Sequence, residues 1–170
     1  MGLVHIYCGD GKGKTTAAMG LAFRALGSGL RVCVCQFLKG APTGELAALS
    51  RFEGAGVLRA EGAPKGFLRE MRDEERGACL VCQRELLARA ARAEADLVVL
   101  DEALSALGAG AFCAEELLKA VLALRQHAEV VLTGRAAPEA IMEAADYVTR
   151  MEKLRHPYDH GVGARRGVEY

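Results

Sequence analysis

An α/β fold, with a mostly parallel central sheet of five or six strands and helices on both faces, is what this 170-residue sequence predicts. Three observations carry the prediction. Short apolar, β-branched runs alternate with helical segments along the chain, the pattern of strand–helix–strand units whose strands are buried between helix layers. The first such run, residues 3–8, leads into Gly9-Asp10-Gly11-Lys12-Gly13-Lys14-Thr15-Thr16, which opens directly on an Ala-, Leu- and Met-rich helix. Several strand-like runs end in charged or amide residues, and ligands of an open parallel sheet gather at the carboxyl ends of its strands.

Each element follows from local signals. The first helix is expected over 15–26 and is ended by Gly27-Ser28-Gly29. Residues 31–37 read as a second buried strand, 45–51 as a short helix and 57–60 as a third strand. Residues 61–71 are irregular, punctuated by Gly62, Pro64 and Gly66. Asp73 is placed to cap a long helix reaching about Ala95, with acids early and arginines late, as the helix dipole favours. A strand over 97–100 ends in Asp101-Glu102, and 114–126 is amphipathic helix. A strand over 129–133 precedes a helix opened by Ala137-Pro138 and running through Ala145, proline being tolerated in a first turn. Residues 146–151 are the last strand, and 152–170 a glycine-containing tail. With no repeat, low-complexity tract or linker, residues 1–170 are expected to form one domain.

Composition narrows the class. Apolar residues make up 51% but aromatics only 5%, so the core is expected to be built from Ala, Leu and Val. Lys+Arg and Asp+Glu balance at 22 each, which argues against a nucleic-acid partner. No apolar run approaches the roughly 20 residues of a membrane span, and the short apolar start runs straight into the glycine-rich stretch, unlike a secretory signal. Six cysteines lie mostly inside strand-like or helix-like patterns, which suits reduced thiols in a cytoplasmic protein. Cys79 and Cys82 form a CxxC, and His156 and His160 flank Pro157-Tyr158-Asp159, but neither pair has partners at metal-site spacing.

The glycine-rich stretch has the character of a phosphate-binding loop. Its glycines let the backbone wrap an oxyanion, and the amides of the helix start point at it. Lys14 is expected to reach the outer phosphates and the Thr15 hydroxyl to ligate Mg²⁺. The loop is a variant, with Cys8 where the usual pattern has its first glycine. Asp101-Glu102 either holds Mg²⁺ opposite the loop or caps the following helix. Arg135, in Thr133-Gly134-Arg135, either neutralises phosphate charge or pairs with a surface acid. No kinase-style lid, dedicated general base or arginine-finger helix stands out. From these residues alone a phosphate-loop kinase or NTPase, and a non-catalytic nucleotide-binding module, remain alternatives.

Collinear motifs narrow the field. Residues 9–18 read Gly-Asp-Gly-Lys-Gly-Lys-Thr-Thr-Ala-Ala, and Arg24-Ala25-Leu26-Gly27-Ser28-Gly29 ends the helix. Gln36-Phe37-Leu38-Lys39-Gly40 closes the second strand and 96–102 reads Asp-Leu-Val-Val-Leu-Asp-Glu. Residues 130–138 read Val-Val-Leu-Thr-Gly-Arg-Ala-Ala-Pro, with Ala-Ala-Asp-Tyr-Val-Thr at 144–149 and His156-Pro157-Tyr158 before a Gly-Val-Glu-Tyr end. Together these resemble the bacterial ATP:corrinoid adenosyltransferases of the phosphate-loop type, over essentially the whole chain. Departures include Asp10 for an asparagine and Gly66-Phe67-Leu68-Arg69 where relatives have Gly-Phe-Thr-Trp. The resemblance implies transfer of the 5′-deoxyadenosyl group of ATP, as co-substrate, to Co(I) of a reduced corrinoid, with release of triphosphate. It implies that Gly9, Asp10, Gly11, Lys12, Gly13, Lys14, Thr15 and Thr16 hold ATP, with Lys14, Lys12 and Arg135 stabilising the triphosphate. Glu102 would be the protein carboxylate on Mg²⁺ beside Thr15, Asp101 its neighbour, and Phe67 the residue facing the corrinoid. A reduced flavoprotein as electron donor and a homodimer are also implied.

Overall fold

The computed structural model describes residues 1–61 and 68–169. In chain order its elements are β1 (Val4–Cys8), α1 (Lys14–Gly27), β2 (Val32–Gln36), α2 (Gly44–Leu49), β3 (Ala55–Arg59), α3 (Asp73–Ala90) and β4 (Leu97–Asp101). They continue as α4 (Ala103–Gly108), α5 (Ala114–Arg125), β5 (Glu129–Thr133), α6 (Glu139–Glu143) and β6 (Tyr147–Arg150). The strands form one six-stranded sheet in the order β3-β2-β4-β5-β1-β6, and every adjacent pair is parallel. The expected α/β architecture is therefore present, with α1 crossing β4 and β5 on its way from β1 to β2.

The period-two alternation of each central strand divides its side chains between two cores. On one face, Val32, Val34, Leu97, Val99 and Val131 pack with Ala18, Met19 and Ala22 of α1. On the other, Cys33, Cys35, Val98, Leu100, Val130 and Leu132 pack with Leu86 and Leu87 of α3 and Leu117, Val121 and Leu124 of α5. All five residues of β2 and all five of β4 are buried, as strands covered on both faces must be. Each carboxyl end therefore emerges from a rigid, dry interior. All six cysteines are free thiols, four of them buried.

Three expectations need adjustment. The long helix starts at Asp73 but ends at Ala90, and its N-cap is Arg72, whose backbone N–H donates to the Glu75 carboxylate at 3.2 Å. Asp73 sits inside the first turn, where its charge still favours the dipole. The helix after Pro138 is only five residues, Glu139–Glu143. The α4 helix has no counterpart in the sequence-based expectations. It begins immediately after β4 because Glu102 takes a left-handed conformation (φ 61°), turning the chain without a loop.

Gly134 makes that turn possible. Its φ is 154°, and a Cβ there would lie 2.6 Å from Leu104 Cβ and 2.8 Å from the Ser105 nitrogen. Gly134→Ala is expected to destabilise the fold by about 3 kcal/mol, combining overpacking against α4 with backbone strain. Chemical denaturation measures this, and a loss under about 1 kcal/mol would mean that α4 yields without cost.

Candidate active site

The carboxyl ends of β1, β2, β4 and β5 converge on one side-chain cluster, with the fully buried carboxylate of Asp101 at its centre. Its Oδ1 accepts hydrogen bonds from the hydroxyls of Thr15, at the start of α1, and Thr133, at the end of β5, both at 2.8 Å. Its Oδ2 accepts from the Lys39 ammonium at 2.6 Å. That ammonium also reaches the Thr15 oxygen at 3.3 Å. Thr133 in turn accepts the backbone N–H of Glu102 at 2.8 Å. A buried carboxylate is tolerable only with such partners, since desolvating an unpaired charge costs several kcal/mol.

Backbone strain is concentrated here. Among the described residues only Leu38 (φ 56°) and Glu102 (φ 61°) are non-glycine residues with positive φ. They follow β2 and β4, next to Lys39 and Asp101. Each costs about 1–2 kcal/mol against a right-handed conformation, and strain of this kind persists where surrounding contacts over-determine it. At Leu38 those contacts are explicit. Its N–H donates to Oε1 of the buried Gln83 at 2.9 Å, and the Arg59 guanidinium donates to the carbonyls of Lys39 (2.5 Å) and Ala41 (2.8 Å).

The glycine-rich loop runs from β1 into α1, and a cavity of about 740 Å³ opens over it. Asp10, Gly11, Lys12, Gly13, Lys14, Thr15 and Thr16 all line that cavity, as do Lys39 and Glu102. Lys14 Nζ folds back onto the Gly11 carbonyl at 2.6 Å, while Lys12 is exposed. Glu102 is half-buried, and its Oε2 accepts from Ser105 Oγ at 2.5 Å. Gly9 is buried beneath the loop, and Arg135 does not reach the cavity wall. The Arg135 side chain is exposed, and its carbonyl receives the Gly9 N–H at 2.8 Å. Phe67 lies outside the described residues.

The far walls come from segments that the sequence signals did not assign to the site. Thr43, Gly44 and Glu45, where α2 begins, form one side. The Thr43 hydroxyl and Glu45 Oε2 are buried without a partner among the described residues. His156, Gly167, Val168 and Glu169 of the C-terminal tail form another side. The tail is tied to the loop by Gly11 N–H donating to the Met151 carbonyl at 2.8 Å and Lys153 N–H donating to Asp10 at 3.1 Å. A Cβ at Gly9 would stand 2.1 Å from that Met151 oxygen, so glycine is required for the close approach. The Lys153 N–H holds the Asp10 carboxyl below the usual carboxylate range.

Glu169 accepts from Arg165 through its guanidinium (3.0 Å) and backbone N–H (2.8 Å), and the guanidinium beside it pushes its pKa down from 4.5 to about 2. Because the folded-state pKa is the lower one, this contact contributes fully above about pH 4.5 and is lost as pH falls through about 2. The Glu169 carboxyl ¹³C resonance is accordingly expected to titrate near pH 2; a midpoint near 4.5 would mean that the tail does not fold this way in solution.

Among the described residues, no three His, Cys, Asp or Glu side chains converge as a metal-binding group, and no helix is long and apolar enough to cross a membrane. What the cluster offers instead is oxygen donors, lysines and loop amides around a cavity of nucleotide size.

The model of the family described as ATP:corrinoid adenosyltransferase BtuR/CobO/CobP matches residues 1–170. A corrinoid adenosyltransferase of Pseudomonas aeruginosa is 38% identical over 172 aligned residues, covering 99% of this chain and 84% of that protein. Corrinoid adenosyltransferase CobA of Salmonella typhimurium is 36% identical, covering 99% and 86%. A corrinoid adenosyltransferase of a Sinorhizobium species is also 36% identical, covering 99% and 80%. On a match that runs from the glycine-rich loop through the tail, the chain belongs to the ATP:corrinoid adenosyltransferase family.

Proposed function

We propose that this enzyme transfers the 5′-deoxyadenosyl group of ATP to Co(I) of a reduced corrinoid and releases triphosphate. The observation that carries the proposal is the Thr15–Asp101–Lys39 cluster at the mouth of the glycine-rich loop, in a chain of this family. The Co–C5′ bond forms as the C5′–O5′ bond breaks, and the electron pair of the broken bond leaves on the triphosphate oxygen. Co(I) attacks with its own lone pair, so no side chain has to remove a proton. The protein's tasks are to align C5′ with cobalt and to stabilise the charge that collects on the leaving group.

The loop fits the second task. The amides of Asp10, Gly13 and Thr16 surround the phosphates, with the Lys14 and Lys12 ammonium groups beside them, while Gly9 and Gly11 hold the loop in shape through their N–H bonds to the Arg135 and Met151 carbonyls. Arg135 adds charge from outside the cavity wall once the substrates are bound. The cluster also fits Mg²⁺: its donors are hydroxyl and carboxylate oxygens, and a stand-in cation, the Lys39 ammonium, already lies between Thr15 and Asp101. Thr15 and Glu102 would ligate the metal, Asp101 would orient the Thr15 hydroxyl, and triphosphate and water would complete the shell. Bound Mg²⁺ neutralises charge on the leaving triphosphate. Phe67 and its segment face the corrinoid and exclude water from the lower side of the cobalt. A reduced flavoprotein supplies the electrons, and the enzyme works as a cytoplasmic homodimer.

The test is an anaerobic reaction of the protein with ATP, Mg²⁺ and chemically reduced corrinoid, followed by the visible spectrum and by phosphate products. Formation of the cobalt–carbon bond with equimolar triphosphate is expected. ADP or orthophosphate as product would make the protein a kinase or NTPase, and ATP binding without turnover would make it a binding module.

A further inference from the structure

We propose that Lys39 is a resident counter-cation at the metal position, and that it makes divalent-cation binding depend on nucleotide binding. In the structure its ammonium lies 2.6 Å from Asp101 Oδ2 and 3.3 Å from the Thr15 oxygen. The Thr15 proton is directed at Asp101 Oδ1, at 2.8 Å. A hydroxyl has one proton and two lone pairs, so what Thr15 has left to offer is acceptor capacity, and Lys39 occupies one of those lone pairs with its positive charge. A metal ligated by Thr15 needs the same capacity. Lys39 and a dication are therefore competitors for one site, and two cations cannot share it without strong repulsion.

The arrangement is built for this purpose on three sides. Leu38 is held in a left-handed conformation, with its N–H on the buried Gln83 and with the Arg59 guanidinium on the Lys39 carbonyl, so the side chain after it is aimed into the cluster. The Lys39 side chain keeps 28% exposure whereas that of Asp101 has none, which gives the ammonium a route out toward the cavity. A replacement donor is already in place. Gln36 lies opposite Asp101 in the β2–β4 register, on the face that Val32 and Val34 share with Leu97 and Val99. Its side chain is fully buried, and neither its Nε2 nor its Oε1 has a partner among the described residues. An amide left unpaired next to a carboxylate is costly unless another state of the site uses it. When Lys39 moves onto the incoming triphosphate, Gln36 Nε2 can donate to the oxygen that Lys39 vacates.

The consequence is thermodynamic coupling. Displacing Lys39 opposes metal binding alone, and triphosphate offsets that cost by giving the ammonium a new partner. By linkage, metal then strengthens nucleotide binding by the same factor. Because this rests on the Mg²⁺–triphosphate chemistry proposed above, the experiment separates the two. Mn²⁺ binding is measured by electron paramagnetic resonance on wild type, Lys39→Met and Lys39→Arg, without and with saturating ATP. Without ATP, Lys39→Met is expected to bind Mn²⁺ at least about tenfold tighter than wild type, and ATP to improve its Mn²⁺ affinity by a correspondingly smaller factor. Lys39→Arg keeps the charge and is expected to stay within about threefold of wild type. Equal or weaker Mn²⁺ binding by Lys39→Met overturns the proposal, as does equal tightening in both variants. If Lys39→Met is unfolded without metal, millimolar Mn²⁺ is expected to restore its circular dichroism spectrum, and failure to do so overturns the proposal as well. Wild type that binds no Mn²⁺–ATP would remove the proposed function itself; normal Mn²⁺–ATP binding with unchanged titrations in the variants removes only the role of Lys39.

Discussion

Lys14→Ala is expected to fold like wild type and to lose ATP-dependent adenosyl transfer by about 10²–10³-fold, the usual effect of removing one preorganised donor from a developing charge. Lys14 is the first residue of α1, and among the described residues its ammonium hydrogen-bonds only to the Gly11 carbonyl, at 2.6 Å. Losing that hydrogen bond costs about 1 kcal/mol of stability, which leaves the two cores intact. The leaving triphosphate, by contrast, gains charge as C5′ departs, and Lys14 is the cation proposed to meet its outer phosphates. Thermal unfolding and the anaerobic turnover assay on the same preparation separate the two effects. Normal turnover would remove the phosphate-loop role from residues 9–16.

Glu102→Gln and Asp101→Asn are expected to fail in different ways, although the two residues are adjacent. Glu102 is half-buried on the cavity wall, and among the described residues its carboxylate has Ser105 as its one side-chain partner. The glutamine keeps an acceptor for that hydroxyl but removes the charge, so stability should change by less than about 1 kcal/mol. The Mg²⁺ concentration for half-maximal activity should rise by about tenfold or more, since a hard dication loses an anionic ligand. Asp101 is fully buried and holds Lys39, Thr15 and Thr133 together. Its neutralisation strands the Lys39 ammonium. Breaking a fully buried pair costs roughly 3–5 kcal/mol, and the 28% exposure of Lys39 discounts that to about 2–3 kcal/mol. Denaturant titration of both variants, with Mg²⁺ dependence of turnover alongside, reads the contrast. Small and equal effects on both measurements would reduce the pair to a helix start.

What was legible in the sequence is what short-range physics controls. The runs that became β2, β4 and β5 are almost uniformly apolar because both of their faces are covered, and that pattern needs no knowledge of the partner strands. The glycine-rich loop is equally local, since its backbone geometry and the helix start that follows it are written in eight consecutive residues, 9–16. Family membership was legible for the same reason, motif by motif in collinear order.

The arrangement of the site was decided by tertiary structure. Lys39 and Asp101 are 62 residues apart, and no local pattern says that β2 lies beside β4. Only the strand order, with β1 two strands away beyond β5, brings Thr15, Lys39, Asp101 and Thr133 onto one carboxylate. The left-handed turns at Leu38 and Glu102 were equally hidden, because neither residue type favours them and only surrounding contacts hold them there. The six-residue α4 follows from the second of these turns. The tail's place over the loop depends on the Met151 carbonyl and the Lys153 N–H, backbone groups that carry no signature in the tail's own side chains. Sequence by itself determined which family this protein belongs to, because the motifs that carry the likeness are short, local and collinear. Tertiary structure alone decided which cation sits on which oxygen, because that depends on contacts between residues far apart in the chain.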